Sequence, residues 1–207
     1  MFLAVPGSNK FRMTLIGGLA VFVDSHAHLD DRKYDLDRHE MLMRAREKGV
    51  TLIINVGYDI ASSQRSINMT ENYDFVYAAV GIHPHDSDEA GPEEFKKLRA
   101  LAVEPKVVAI GEMGLDYYRD LSPRDTQQAV FRKQIQIARD VGKSIIVHDR
   151  EAHGDVMNIL REEGAVPTGG VMHCFSGSME MARECLKMGM YISIAGPVTF
   201  HNAKRLH

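Results

Sequence analysis

The feature that most constrains this chain is a strict alternation, from residue 21 onward, of short apolar runs with longer amphipathic segments. The apolar runs are Val21–Val23, Thr51–Val56, Phe75–Val80, Lys106–Ile110, Ser144–Val147, Gly170–Cys174 and Met190–Ile194. Between them the pattern predicts helices over Leu36–Lys48, Ile60–Met69, Glu93–Val103, Pro123–Val141, Ala152–Glu163 and Met179–Met188. Gly49 and Gly142 stand where a helix needs a left-handed cap, and Pro92 and Pro123 stand where a first turn tolerates a missing N–H. The apolar runs are continuous rather than alternating. That is how a strand reads when both faces of a parallel sheet are covered. Strands and helices in strict alternation fit either a doubly wound sheet or a TIM-type barrel.

Length and charge narrow the field. A chain of 207 residues suits one sizeable domain. With 44% hydrophobic and 26% charged residues, the composition is that of an ordinary globular chain. A net charge of −3 offers no broad attraction for a polyanion, so nucleic acid would have to be gripped locally. Two cysteines, Cys174 and Cys185, make no disulfide framework; they read as inert buried thiols and fit a reducing cytoplasm. Lys10 and Arg12 before the short run Met13–Ala20 imitate a secretory signal. The run is broken by two glycines, and residues 1–20 read instead as an amino-terminal extension. No run reaches the ~18 apolar residues of a membrane span, so no membrane partner is expected.

The placement of polar residues decides between the two architectures. Functional groups of parallel α/β folds collect at the carboxyl ends of the strands. Here those ends carry Asp24, His26 and His28; His83 and His85; Glu112; His148 and Arg150; and His173. A doubly wound sheet would scatter these groups along a crevice, whereas a barrel gathers them at one mouth. The expectation is therefore α/β, a TIM-type (β/α)8 barrel with seven of its strands present.

His26 and His28, two apart on a strand, share a face and can clasp a divalent ion. An H-x-H pair alone is weak, but Glu112, His148 and His173 at equivalent strand ends make five metal-ligand candidates. Glu112 closes an apolar strand where an unpaired carboxylate is costly; it reads as a metal-bridging catalytic carboxylate, with an arginine ion pair as the alternative. His83 is poised near the mouth, while His85 reads as solvated. Arg150 fits either a substrate phosphate or a surface salt bridge. Tyr117 and Tyr118 fit either base stacking or loop packing. His39, His153, His201 and His207 carry no assigned role.

The segments VDSHAHLD (23–30), GIHPH (81–85), GEMGLDYYR (111–119), VHDREAH (147–153) and MHCFSG (172–177) resemble, in order and spacing, the TatD-family metal-dependent deoxyribonucleases. The resemblance implies a TIM barrel with two divalent metal ions (zinc, magnesium or manganese) that hydrolyses DNA phosphodiesters from the 3′ end. It implies His26 and His28 on one metal, Glu112 bridging, His148 and His173 on the second, and His83 and Arg150 toward the substrate phosphate. It also implies an aspartate after an eighth strand. The sequence ends at His207 without one, so the expected domain, 21–207, lacks its eighth βα unit. The same cage would suit an ester or amide hydrolase such as an aminoacyl-tRNA deacylase, or a metal-binding fragment without turnover.

Overall fold

The computed structural model describes residues 22–164 and 166–203, together with three strand pieces nearer the amino terminus, Phe2–Leu3, Leu15–Ile16 and Leu19–Ala20. Seven strands run in parallel: β1 (Phe22–Ala27), β2 (Val50–Val56), β3 (Val76–Val80), β4 (Val107–Asp116), β5 (Ser144–Arg150), β6 (Gly170–Met172) and β7 (Met190–Ile194). The helices between them are α1 (Arg38–Glu47), α2 (Ile60–Asn72), α3 (Pro92–Ala102), α4 (Arg124–Val141), α5 (His153–Glu163) and α6 (Met179–Lys187). Each strand pairs with the next in sequence, without the reversal of order that defines a doubly wound sheet. The result is a curled half-barrel. Phe2–Leu3 adds an antiparallel pair to β7, at Ile194 and Ser193. The expected extension over 1–20, the signal-like run and Val21 fall largely outside the described residues, as does His207. After β7 the chain makes a short 3₁₀ turn, Gly196–Thr199.

Both sheet faces are buried, which explains the unbroken apolar runs. One face packs Val56, Ala79, Ala109, Ile146 and Val171 against one another inside the curl. The other turns Val80, Ile110, Met113, Leu115, Ile145 and Val147 toward the helices, where Phe131, Ile135 and Ala138 of α4 meet them. Fully burying one such Phe, Ile or Leu contributes about 1.5–3 kcal/mol. The helices are fixed locally as well. Asp59 and Ser62 form a capping box at α2, and Ser178 accepts the Met181 N–H at α6. Gly142, at φ +67°, closes α4 in the left-handed conformation.

Three differences from the sequence expectations position the site. β4 runs ten residues, to Asp116, so Glu112 lies within the strand rather than beyond it. β5 likewise continues through His148 to Arg150. His85 enters a 3₁₀ helix, Pro84–Glu89, instead of a solvated loop.

Candidate metal centre

Strand parity brings the imidazoles inward. His148 and His173 each lie two residues beyond an inward-facing residue, Ile146 and Val171, so they continue the inner face to the mouth. In β1, Ala27 packs with the outer cluster, which leaves His26 and His28 on the inner side. Glu112 would break this logic on a regular strand, because Ile110 faces the helices and Glu112 would follow it. Yet Met113 also faces the helices, three residues after Ile110. The β4–β5 pairing shifts register between those two residues. The irregularity is built on Gly111, at φ +151°, where an added Cβ would lie 2.6 Å from the Ile146 carbonyl oxygen. A bulge of this kind re-aims a side chain, and here it turns Glu112 into the site.

Glu112 is the hub. Its Oε2 lies 3.3 Å from His26 Nε2 and 3.9 Å from His28 Nε2, and its Oε1 lies 2.9 Å from His148 Nδ1. Two groups of ligand atoms gather within 4.8 Å of one another: His26, His28 and Glu112, and His83, Glu112 and His148. Glu112 belongs to both. Burial by itself would raise its pKa, but hydrogen bonds from His148 and His26 hold the carboxyl well below its ordinary range. His148 is pushed up: burial opposes its charge, and the Glu112 and Asp116 carboxylates outweigh that. Burial takes His83 and His173 down to about 3, so both are neutral imidazoles.

Hydrogen bonds fix the tautomers. His28 Nδ1 is 2.9 Å from the Val56 carbonyl, which only accepts, so Nδ1 carries the proton and Nε2 presents a lone pair. That Nε2 stands 3.2 Å from His26 Nε2. His83 behaves in the opposite way. Its Nδ1 accepts the His85 backbone N–H at 3.2 Å, so the neutral ring keeps its proton on Nε2 and is a donor. His173 completes neither group; it lies flat against His26, with ring centroids 3.5 Å apart, and its buried Nδ1 has no partner among the described residues. Arg150 forms no ion pair among the described residues, and its guanidinium lies 4.1 Å above the Tyr118 ring. His85, read as solvated, is instead half-buried and bonds Asp116 at 2.8 Å.

Asp116 is the residue that the strand-end reading missed. It shares the inner face with Glu112 and Gly114, and the period-two spacing Glu-x-Gly-x-Asp would have revealed it had β4 been read to its full length. Cys174 and Cys185 are both free, and burial pushes Cys185 up to about 11.

The sequence profile of the TatD related DNase family matches residues 23–207. The chain is 51% identical over 182 residues to the metal-dependent hydrolase YabD of Bacillus subtilis, an alignment covering 88% of this chain and 71% of that protein. The chain belongs to the TatD-related DNase family. It is accordingly a metal-dependent hydrolase of that family. Among its other relatives, a protein of Cronobacter turicensis named 3′-5′ ssDNA/RNA exonuclease TatD is 37% identical over 84% of this chain and 66% of its own length. The crystal structure of YjjV, a TatD homologue from Escherichia coli, superposes with a TM-score of 0.80 at 32% identity, covering 86% of this chain and 70% of that one. The family membership brings the half-barrel and the histidine–glutamate cluster under one TIM-barrel description.

Proposed function

We propose that this chain hydrolyses DNA phosphodiester bonds, as a 3′–5′ exodeoxyribonuclease, with two divalent ions of zinc, magnesium or manganese type. Residues 21–207 would form the hydrolase domain after an extension at 1–20, and the two free cysteines fit a cytoplasmic location. The observation that carries the reading is the double membership of Glu112 in both ligand groups. A carboxylate so placed suits a bridge between two ions. His26 and His28 would complete one ion's set and His148 would anchor the other's; His173, which stacks on His26 and stands outside both groups, would have to turn from that ring to join His148 there.

The donor chemistry fits. The His28 lone pair faces an ionised carboxylate and a second imidazole, and two nitrogens with one oxygen suit an ion of zinc or manganese type. The unpartnered Nδ1 atoms of His26 and His173 show that this cluster is not satisfied by protein contacts alone. When bound, the ions supply Lewis acidity and a water of lowered pKa. The chain itself contributes orientation and donors. His83, neutral and protonated on Nε2, can donate to a phosphoryl oxygen, and Arg150, over the Tyr118 ring and without a carboxylate partner among the described residues, offers a cation.

A 5′-labelled single-stranded DNA, on which every shortening from the 3′ end stays visible, tests this directly. The expected result is stepwise release of mononucleotides that stops with EDTA and returns with manganese or zinc. Intact DNA together with deacylation of charged tRNA would replace the nuclease reading with the deacylase one. Metal uptake without either activity would leave a binding protein.

A further inference from the structure

Asp116 is the most heavily bonded carboxylate near the cluster. It ends β4 on the same face as Glu112 and is only 1% exposed. Its Oδ1 accepts the backbone N–H groups of Tyr118 at 3.1 Å and Arg119 at 2.8 Å. Its Oδ2 meets Nε2 of His85 at 2.8 Å and Nε2 of His148 at 3.2 Å. The strand end that carries it is held in turn, because the Asp116 N–H donates to Gln127 Oε1 at 2.9 Å. Nothing in the metal-holding proposal gives this residue a task. Burying a carboxylate so completely is costly unless every lone pair is used, and here each oxygen has two donors.

An ionised carboxylate only accepts, so both imidazoles facing Oδ2 must present an N–H from Nε2. For His148 that leaves Nδ1, which donates to Glu112 Oε1 across 2.9 Å in the metal-free protein, as the atom that would give up its proton to coordinate an ion. A carboxylate that takes the far proton of a metal-bound imidazole fixes its tautomer and its orientation together. We infer that Asp116 is a positioning residue: by accepting the Nε2 protons of His148 and His85, it turns Nδ1 of His148 toward Glu112 and toward the ion that the two would share. The inference rests on the metal-holding reading of His148 and Glu112. One carboxylate thereby ties a metal histidine, the His83–His85 turn and the turn that carries Tyr118 into a single unit.

Asp116→Asn separates this role from a merely structural one. The amide keeps the shape but has one accepting atom. With that oxygen committed to the Tyr118 and Arg119 N–H groups, its NH₂ confronts Nε2 of His148 and of His85. The rings then do best with Nε2 bare and the proton kept on Nδ1, which denies an incoming ion the Nδ1 lone pair beside Glu112. On chelator-stripped protein, zinc titration by calorimetry should show the event that depends on His148 weakened at least ~10-fold. The event that depends on His26 and His28 should be unchanged.

A measurement on the parent protein needs no variant and decides the matter if Asp116→Asn fails to fold. In zinc-loaded protein labelled with ¹⁵N-histidine, ring NMR should place the His148 proton on Nε2, shielded from exchange. A proton on Nδ1 of His148 in that spectrum overturns the inference. So does an Asp116→Asn protein that binds zinc like the parent while Glu112→Gln does not; the metal-holding reading would survive that outcome. Parent protein that takes up no zinc overturns the metal-holding reading and this inference with it.

Discussion

His28 Nδ1 donates to the carbonyl of Val56 across 2.9 Å, from the end of β1 to the end of β2. Because a backbone carbonyl cannot donate, this contact leaves Nε2 as the ring's lone pair, aimed at His26 and Glu112. The fold thus supplies the outer hydrogen bond that metal-ligating histidines characteristically make. His28→Gln should therefore lower zinc affinity at least ~10-fold in calorimetry. The far-ultraviolet circular dichroism should stay as in the parent, since the side chain is partly exposed and no core residue is lost. Unchanged affinity would remove His28 from the ligand set.

Glu112→Gln should be more damaging to turnover. The amide nearly matches the carboxylate in shape but removes the charge that both ligand groups share. Loss of at least ~10²-fold in kcat, about 2.7 kcal/mol of barrier, is expected. Steady-state hydrolysis of single-stranded DNA at saturating manganese is the measurement. A near-normal rate would make Glu112 a structural partner of His148 and His26 and no more.

The architecture was legible because its signal is physical and local. Strands buried on both faces cannot alternate, and helices need caps, so run lengths and the glycine and proline positions gave the seven parallel strands and six α-helices in order, with β4 ended six residues short and the 3₁₀ helices unread. That His26, His28 and His148 gather round Glu112 was legible for the same reason, as polar residues ending apolar strands; that His173 stacks on His26 outside both ligand groups was not. What stayed hidden depended on geometry that no local pattern carries. The register break at Gly111 flips the parity of Glu112, so its inward aim came right even though β4 was ended too early. That same early end concealed Asp116. Tautomers, which separate the lone pair of His28 from the N–H of His83, depend on a carbonyl 28 residues away in one case and on a turn in the other.

The metal-free protein should have a stability maximum near pH 6.5. His83 and His173 titrate near 3 when folded against 6.5 when unfolded, chiefly because burial disfavours the charged ring. Between those values the unfolded chain binds more protons, so stability falls as the pH drops from 6.5 toward 3. His148 is shifted the other way, its charge favoured by Glu112 and Asp116 against the cost of burial. Its contribution is complete below pH 6.5 and is lost as pH rises through its folded value. Urea unfolding of chelator-treated protein between pH 4 and 9 would show both limbs. His83→Gln should flatten the acid limb and His148→Gln the alkaline one.

Arg150 carries the last prediction, that substrate is gripped at few points. The net charge is −3, and the surface arginines Arg44, Arg46, Arg99, Arg124, Arg132 and Arg161 are all committed to carboxylates. Arg32, Arg119, Arg139 and Arg183 form no ion pair among the described residues either, but Arg150 alone of these five ends the strand that bears His148, and it rests on Tyr118, a ring 63% exposed. Such a cation can meet a phosphate without first breaking an ion pair, while the ring below it keeps the guanidinium plane fixed. Binding of single-stranded DNA should then weaken with salt only as expected for about two or three phosphates, at ~0.7 in logarithmic slope for each. Arg150→Ala should reduce that slope by ~0.7 and raise KM about tenfold, ~1.4 kcal/mol, with kcat nearly unchanged, because the contact would be made equally in ground and transition states. Salt-dependent fluorescence anisotropy and steady-state kinetics on one oligonucleotide give both numbers. If kcat falls instead while KM holds, Arg150 acts on the reacting phosphoryl group itself; if neither moves, the cation belongs to the surface.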